Sequence, residues 1–355
     1  MKVTILYPGG KLGKPTTGGQ VYDFNLFKML HDEGVELDYL CDEELGRKKE
    51  DPLWLFSLKL IRKVRCLAKN QTLIFNTALF PYYLFPFCVL KLLYPKVRLF
   101  GIHHHFRFQE QTGIRRKIYK VLEFVNLKQC TKVICPCPYT RDVMLRSWKS
   151  ARYIDLENSF DITPKSISKF EPGRLLFVGS IYPRKGILYL LEALAGMKPA
   201  DRKTIRLDIV GNIADYSYYH RLLMFCQQHG LEENVKFHGI VSQQELERFY
   251  SQAYAFVFPS LLEGYGLVLI EAMSYGLPVI AFNNSAMPYT IKNEVNGLLV
   301  TNCDSTELGD KILWLMKNVD YHRNLSQNAL KTSLSVSSIP ALKALVSQFI
   351  RMDIQ

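Results

Sequence analysis

Two glutamates spaced eight residues apart, Glu263 and Glu271, are the side chains of this sequence best placed to bind a polyhydroxylated ligand. They lie in FPSLLEGYGLVLIEAMSYGLPVIAF, residues 258–282, where a buried strand, a glycine turn and a helix starting at Leu267 follow one another. The first turn of a helix offers amides without helical partners and a positive dipole end, so it favours an anion such as a diphosphate. Glu271 can accept hydrogen bonds from two adjacent sugar hydroxyls. Glu263, in the turn, can reach a second sugar across that diphosphate.

Two cations occupy another turn, Tyr182–Gly186, directly after the apolar run LLFVG. Arg184 and Lys185 in this turn can neutralise the charge that builds on a departing diphosphate. The alternative is an exposed basic loop that binds no ligand.

Two weaker signals lie in the first half of the chain. Gly18 and Gly19 open the first long helix, but they do not form the G-x-G-x-x-G fingerprint, and a plain flexible turn is the alternative. His103–His105 follow the predicted strand KVRLFGI. Side chains alternate along a strand, so at most His103 and His105 share a face, and no further ligands stand at a matching spacing. A metal site is therefore disfavoured, and a buried or surface histidine cluster is the other interpretation.

Two series of strands and helices must position these residues. The pattern predicts strands at 2–7, 35–40, 73–76, 96–102 and 132–136, then at 174–179, 205–211, 234–239, 255–260 and 277–282, with helices between most of them, notably 115–129, 216–228 and 242–251. Strands alternating with helices of this length predict parallel sheets covered on both faces.

The fold class expected is therefore α/β, with two facing Rossmann-like domains at 1–165 and 171–335. Ligands of open α/β sheets bind beyond the carboxyl ends of the strands, which places a site in the cleft between the two domains. The final stretch, 336–355, is expected to form a helix that packs back on the first domain.

The basic residues are concentrated in one region of the chain. The formal net charge is +12, and all of the excess lies in residues 1–170, with 28 basic and 16 acidic residues. Residues 51–132 alone hold 15 basic and 3 acidic residues. Such a region attracts an anionic partner, which charge alone does not identify. Nucleic acid is disfavoured because the aromatic rings cluster in an uncharged block instead of interleaving with cations.

That uncharged block, residues 72–90, contains FPYYLFPF at 80–87. A membrane span needs about 20 apolar residues without prolines and other breaks, so the block is expected to form a strand and a buried helix instead. Rings that fill the core are one interpretation of 80–87. A peripheral contact with an acidic membrane is the other.

The sequence resembles the retaining glycosyltransferases of the family-4 type, which share the GT-B fold and an E-x7-E signature. The resemblance rests on 258–282 and, in the second half, on LLFVGSIYPRKG, LDIVGN, VKFHGIVSQQEL and NGLLV. The first half matches more loosely, through the early glycine loop, the histidine-ended strand and the NSFD linker.

Several residue roles follow from the resemblance alone. Glu263 would touch the donor sugar, Glu271 would bind the nucleotide ribose, and the amides of Gly264, Tyr265, Gly266, Leu267 and Val268 would hold sugar hydroxyls and the diphosphate. Lys185 matches the family's lysine, whereas Ser180 replaces its usual arginine, so Arg184 is expected to supply the second cation. Gly18 and Gly19 would approach the donor phosphate. His103, or alternatively His104, would face the donor sugar.

The expected activity is a retaining, metal-independent transfer of a sugar from a UDP- or GDP-linked donor to a glycan or lipid-linked acceptor. No cofactor is expected, and the process implied is cell-surface polysaccharide or glycolipid synthesis. The alternative is another enzyme of the same fold, an epimerase or a phosphorylase. The sequence has no D-x-D, Walker, G-x-S-x-G or H-E-x-x-H motif. Eight scattered cysteines indicate reduced thiols and a cytoplasmic location, peripheral at the inner membrane face if the membrane interpretation holds.

Overall fold

The computed structural model describes residues 1–7, 18–46, 48, 51–77, 80–157, 170–335 and 339–354. The chain divides into two compact units. The first unit comprises Met1–Phe160 with Ser337–Gln355, and the second comprises Asp161–Val336.

The first unit is built on a six-stranded parallel sheet. Short apolar runs such as Val3–Leu6 are buried on both sheet faces, as a parallel sheet covered by helices requires. Its strands, in the spatial order β2-β1-β3-β4-β5-β6, are β1 Lys2–Leu6, β2 Glu36–Leu40, β3 Thr72–Asn76, β4 Arg98–Ile102, β5 Lys132–Cys135 and β6 Tyr153–Asp155.

Among the described residues, seven α-helices connect these strands and cover the sheet. They are α1 Gly18–Asp32, α2 Asp42–Leu45, α3 Leu53–Arg62, α4 Val64–Ala68, α5 Phe80–Leu93, α6 Gly113–Lys128 and α7 Pro138–Ser147. In α5, the side chains of Phe80, Tyr83 and Phe87 are buried, so most of the FPYYLFPF rings fill the core, while Phe85 is exposed. Within the described ranges, no helix is both long and apolar enough to cross a bilayer.

The second unit repeats the parallel arrangement. Its strands, in the order β12-β11-β10-β7-β8-β9, are β7 Arg174–Val178, β8 Arg206–Val210, β9 Val235–Gly239, β10 Ala255–Phe258, β11 Val279–Phe282 and β12 Gly297–Val300. Its helices are α8 Ile187–Gly196, α9 Pro199–Arg202, α10 Tyr216–His229, α11 Gln243–Gln252, α12 Leu267–Ser274, α13 Met287–Thr290, α14 Ser305–Lys317 and α15 Val319–Ser335.

The chain then returns to the first unit. Helix α16, Ile339–Phe349, packs against α1, and Leu342, Val346 and Phe349 join the buried cluster that β1 and α1 form. Arg98 of β4 donates to the carbonyls of Asp353 and Ile354, which fixes the π-helical turn at the end of the chain.

The predicted parallel α/β architecture is confirmed in both sheets, but two strands were not predicted. β6 has three residues at a sheet edge, and β12 is a four-residue edge strand. β6, YID, is too short to show an apolar run, whereas β12, GLLV, is apolar and as long as its neighbour β11. Because β7 and β10 pair in parallel at the sheet centre, the turns that follow them lie side by side.

Candidate functional site

The turn after β10 holds Glu263 in a buried position. Its carboxylate Oε1 accepts hydrogen bonds from Ser260 Oγ at 2.7 Å and from Lys185 Nζ at 2.6 Å. Burial disfavours the ionised form, but the charges of Lys185 and Arg184 and the two hydrogen bonds outweigh it and hold the pKa of Glu263 below its ordinary value. Glu263 is therefore an anion at neutral pH.

Lys185 reaches this carboxylate because two backbones meet closely. The lysine ends a short 3-10 helix, Pro183–Lys185, and Gly186 follows with φ +69°. A Cβ at Gly186 would lie 1.8 Å from the carbonyl oxygen of Pro259, so only glycine allows this approach. Lys185 Nζ also lies 5.1 Å from the centroid of the Phe258 ring. The predicted lysine and glutamate are thus brought into direct contact.

Arg184 stabilises the glutamate turn after β10 through two hydrogen bonds to its backbone. Its Nη1 donates to the carbonyl of Leu262 at 2.5 Å, and its own carbonyl accepts from the amide of Leu261 at 2.8 Å. Arg184 therefore lies at the site and contributes charge to Glu263, with its guanidinium directed at the backbone of the glutamate turn.

Helix α12 begins directly after the glutamate turn. Gly266 precedes it with φ +84°, and Gly264, Tyr265, Leu267 and Val268 are half-buried. In its first turn the amide of Leu269 already donates to the Gly266 carbonyl at 2.9 Å, and an anion at the carboxyl edge of the sheet can accept from the amides of Leu267 and Val268 that open the helix.

Glu271 lies one turn into α12 and is held by Tyr250 of α11. The Tyr250 hydroxyl donates to Glu271 Oε2 at 3.0 Å. Burial raises the pKa of Glu271 above its ordinary value, and the tyrosine hydrogen bond opposes that rise. The sequence did not identify Tyr250, since a tyrosine 21 residues away gives no signal of contact.

Two further residues missed by the sequence interpretation anchor the glutamate turn. Ser285, in the loop after β11, accepts from the backbone amide of Glu263 at 2.9 Å. Asn284 donates from Nδ2 to the Ser260 carbonyl at 3.0 Å. Their one available signal was position, because Asn284 and Ser285 follow the strand next to β10. Ser180, for which the resemblance implies an arginine, donates to Asn212 Oδ1 at 2.6 Å and so links the loops after β7 and β8.

In the first unit, His103 is buried after β4. Thr77 Oγ1 donates to the Ile102 carbonyl, so it accepts from His103 Nδ1 at 2.7 Å. Burial, and then the neighbouring histidines His105 and His104, lower the pKa of His103 to about 3, so the ring is neutral. Its Nε2 is a buried acceptor with no hydrogen-bond partner among the described residues.

His104 differs from His103 in its exposure and partners. Its side chain is partly exposed, and its Nε2 donates to Asp23 Oδ1 at 2.9 Å. Asn76 at the end of β3 donates to the other oxygen of Asp23 at 2.8 Å. Gly19, in the first turn of α1, lies against the His104 ring. A Cβ added to Gly19 would lie 3.5 Å from the Nε2 atom of that ring. The predicted Gly18–Gly19 turn and the histidine strand end are therefore neighbours. His104 and His105 are partly exposed, whereas His103 is buried.

The described residues contain no group of three or more His, Cys, Asp or Glu side chains arranged to hold a metal ion. The early loop containing Gly9 and Gly10 and the NSFD linker lie outside the described residues.

Comparison with known proteins gives these sites a context. Residues 159–332 match the family model described as Glycosyl transferases group 1. An uncharacterized glycosyltransferase of Methanocaldococcus jannaschii is 37% identical over 142 residues, which is 39% of this chain and 35% of that protein. The chain spans between about a third and three fifths of the length of the first curated relatives it matches.

Two solved structures match nearly the whole chain. Sucrose-phosphate synthase from Thermosynechococcus elongatus has a TM-score of 0.78 at 20% identity, covering 99% of this chain and 98% of that one. HepE of Anabaena, in complex with UDP and glucose, has a TM-score of 0.74 at 17% identity and covers 99% of both chains. The chain has the α/β GT-B fold, and residues 159–332, nearly all of them in its second unit, carry the match to the group 1 glycosyl transferases.

Proposed function

We propose that this protein is a retaining glycosyltransferase that moves a hexose from a UDP- or GDP-linked donor to a glycan or lipid-linked acceptor. The product class proposed is cell-surface polysaccharide or glycolipid. The ion pair between Lys185 and Glu263 at the N-terminus of α12 carries this proposal. It puts a fixed cation and a fixed anion beside amides suited to a diphosphate, which is the charge pattern of a diphosphate-linked sugar.

Each residue then has a role on the donor. Lys185 and the first amides of α12 receive the diphosphate, with Arg184 adding positive charge from behind the turn. Glu263 turns its second oxygen to the sugar hydroxyls, because Oε1 already accepts from Ser260 and Lys185. Glu271 accepts from the ribose hydroxyls. These cations and amides supply the charge that a metal would otherwise provide, so the transfer is proposed to be metal-independent.

The reaction proposed is a front-side substitution. The acceptor oxygen bonds to the anomeric carbon as the bond from that carbon to the phosphate oxygen breaks, and the electron pair leaves with the diphosphate. The acceptor proton passes to the departing phosphate oxygen. The protein contributes positioning and charge stabilisation, and removing one such contact typically costs about 3 kcal/mol in the barrier.

A nucleotide panel tests this proposal. Among UDP, GDP, ADP and their sugars, one nucleotide and its sugar should raise the Tm of the protein, and the others should not. A ligand at about 100 times its Kd adds about 2.7 kcal/mol to the free energy of unfolding. Glu271→Ala should abolish the Tm shift of the preferred nucleotide. Glu263→Gln should keep that shift and lose turnover.

The product decides between the candidate activities. Two results support the proposal: the product keeps the anomeric configuration of the donor, as measured by NMR, and a chelator leaves the transfer rate unchanged. Inverted configuration, a chelator-sensitive rate, or isomerised donor without transfer would contradict it, the last favouring an epimerase. Full activity in both glutamate variants would contradict the site.

A cytoplasmic location is proposed on the cysteines. All eight are free thiols, and Cys66, Cys88 and Cys303 are exposed. Exposed thiols persist in a reducing compartment. Thiol labelling of the native protein in intact cells, with a reagent that does not cross the membrane, should leave these three unmodified.

A further inference from the structure

Helix α6 of the first unit turns its apolar side to solvent. Four aliphatic side chains spaced four, three and four residues apart form one stripe along the helix. They are exposed by 74%, 51%, 62% and 43% respectively: Ile114, Ile118, Val121 and Val125. An amphipathic helix of a globular protein ordinarily faces its core with such a stripe. Here the stripe has no partner among the described residues of the chain.

The opposite side of α6 fixes this orientation. Glu123 and Asn126 are buried there with Leu127. The carboxylate of Glu123 accepts from the amides of Arg107 at 2.8 Å and Phe108 at 2.9 Å. Rotating the stripe inward would expose these buried contacts and leave two backbone amides without their acceptor, so the outward stripe is a built feature of the first unit.

The neighbouring helices extend the apolar surface. Helices α3, α5 and α6 follow crossovers that run in one direction along the sheet, so they cover the same sheet face, with α5 packed against both others. Among the described residues, the exposed large apolar residues on α3 and α5 are Trp54, Leu58, Phe85, Leu92 and Leu93. Trp54, Leu58, Pro81 and Phe85 line an apolar groove of about 530 Å³ with Ser57. We call the outer side of α3, α5 and α6 the helical face.

Cations flank the stripe of the helical face. At about 100° per residue, Arg115 lies on one side of the stripe and Lys117 and Lys128 lie on the other, and all three are exposed, as are Arg116 and Lys120 farther round α6. The region 51–132 has only three acidic residues, and each has a partner: Asp51 pairs with Lys59, Glu110 lies near His105, and Glu123 accepts two amides. The helical face thus combines apolar side chains with cations and almost no competing negative charge.

A basic pocket lies where α5 and α6 end. Its volume is about 670 Å³, and Lys91, Lys128, Arg152 and the half-buried Trp148 are among its lining residues. Lys128 also lies 6.0 Å from the Trp148 ring. Cations beside a tryptophan suit a phosphate headgroup at the boundary between lipid and water.

We propose that the helical face docks the protein on a bilayer containing acidic phospholipids. The stripe enters the boundary between headgroups and acyl chains, and the flanking cations bind lipid phosphates. The positive charge excludes most protein surfaces as partners of the helical face, because such a surface would need an acidic patch opposite the cations and also an apolar area opposite the stripe. This inference rests on the first unit alone. It deepens the proposed function by bringing the enzyme to a lipid-linked acceptor.

Vesicle sedimentation of the full chain tests the helical face. At about 50 mM salt, vesicles with about 30% acidic phospholipid should sediment the protein, and neutral vesicles should sediment about tenfold less. Raising the salt to about 500 mM should release most of it, because the Debye length shortens.

Matched variants identify the surface that binds. Ile118→Ser with Val121→Ser should lower binding about tenfold, since both apolar side chains leave the stripe. Leu223→Ser with Met224→Ser removes two exposed apolar residues from α10 of the second unit and should bind like the unmodified chain. Circular dichroism and the nucleotide-induced Tm shift show that each variant is folded.

Three results would overturn the proposal: no sedimentation with acidic vesicles, equal binding of the stripe variant, or a dimer in solution that the stripe variant abolishes while vesicles bind neither form. The last would assign the helical face to a second copy of the chain. Vesicle binding without any glycosyl transfer would keep the helical face and reject the proposed function, so the two proposals fail separately.

Discussion

Lys185 Nζ lies 2.6 Å from Glu263 Oε1, although the two residues are 78 positions apart in the chain. Their contact exists because β7 and β10 are neighbouring parallel strands whose following turns meet at one sheet edge. The pair keeps a buried carboxylate ionised beside the N-terminus of α12. The positive and negative charges of a site for a sugar diphosphate are thus held in place before any ligand binds.

Removing the lysine should harm stability as well as activity. Lys185→Met leaves the buried carboxylate of Glu263 without its cation, so the free energy of unfolding should fall by about 3 kcal/mol and the pKa of Glu263 should rise. Urea denaturation at neutral pH measures the loss. Lys203→Met, at an exposed turn of the second unit, serves as the matched control and should change stability by less than about 0.5 kcal/mol.

The double variant separates the charge effect from the loss of packing. In Lys185→Met with Glu263→Gln, no buried charge remains unpaired, so part of the lost stability should return, with a coupling energy of about 1–3 kcal/mol. Strictly additive losses would mean that the two side chains do not act as a pair.

Tyr250 should set the pH range over which nucleotide binds. Its hydroxyl opposes the burial that raises the pKa of Glu271, so Tyr250→Phe should raise that pKa further. Binding that needs the carboxylate is lost as pH falls through the pKa, and the variant should therefore lose nucleotide affinity at a higher pH than the unmodified protein. Titration calorimetry with a nucleoside diphosphate between pH 5 and 8 measures the midpoint.

Tyr275→Phe is the control for that shift. It removes a hydroxyl from the ring stacked on Tyr250 and leaves the bond from Tyr250 to Glu271 in place. If Tyr250→Phe and the unmodified protein have equal midpoints, then Glu271 does not bind the nucleotide, or it binds the nucleotide with a neutral carboxyl group.

Two glycines with similar backbone angles should respond differently to alanine. Gly230 has φ +62° and an open surrounding, so Gly230→Ala should cost about 1 kcal/mol of backbone strain. Gly186 has φ +69°, and its Cβ would meet the Pro259 carbonyl at 1.8 Å. Gly186→Ala should cost clearly more and also lower transfer, because it separates Lys185 from Glu263. Denaturation midpoints and turnover of the two variants check this, and equal losses would contradict the close approach.

The sequence predicted the elements of the site better than the contacts within it. Glu263, Lys185 and Glu271 could be found because each lies in a turn or helix start with a recognisable pattern. Their partners Ser260, Ser285 and Tyr250 could not, since serines are common in loops and a tyrosine on an amphipathic helix ordinarily fills the core. Sheet order, which decides that β7 lies beside β10, is set by packing between segments far apart in the chain.

Helix α6 shows a second reason for the difference. Its periodicity predicts an amphipathic helix, and the ordinary inference places the aliphatic stripe inward. The structure instead buries Glu123 and Asn126, because the amides after the histidine triplet need an acceptor at that place. Periodicity shows which residues share one side of a helix, but it does not show which side is buried.

Glu123 should make the stability of the first unit depend on pH. Burial raises its pKa to about 7 from 4.5, although the two amide hydrogen bonds oppose the rise. The folded chain therefore holds a proton that the unfolded chain releases, and its stabilising effect is complete below about pH 4.5 and is lost as pH rises through about 7. The change amounts to about 3 kcal/mol, at 1.36 kcal/mol per pKa unit. Glu123→Gln cannot titrate, so the free energy of unfolding measured in urea should lose this decline between pH 5 and 7.5. Glu110→Gln, on the adjacent 3-10 turn Arg107–Glu110, should keep the decline, and a decline unchanged in Glu123→Gln would assign it to another group.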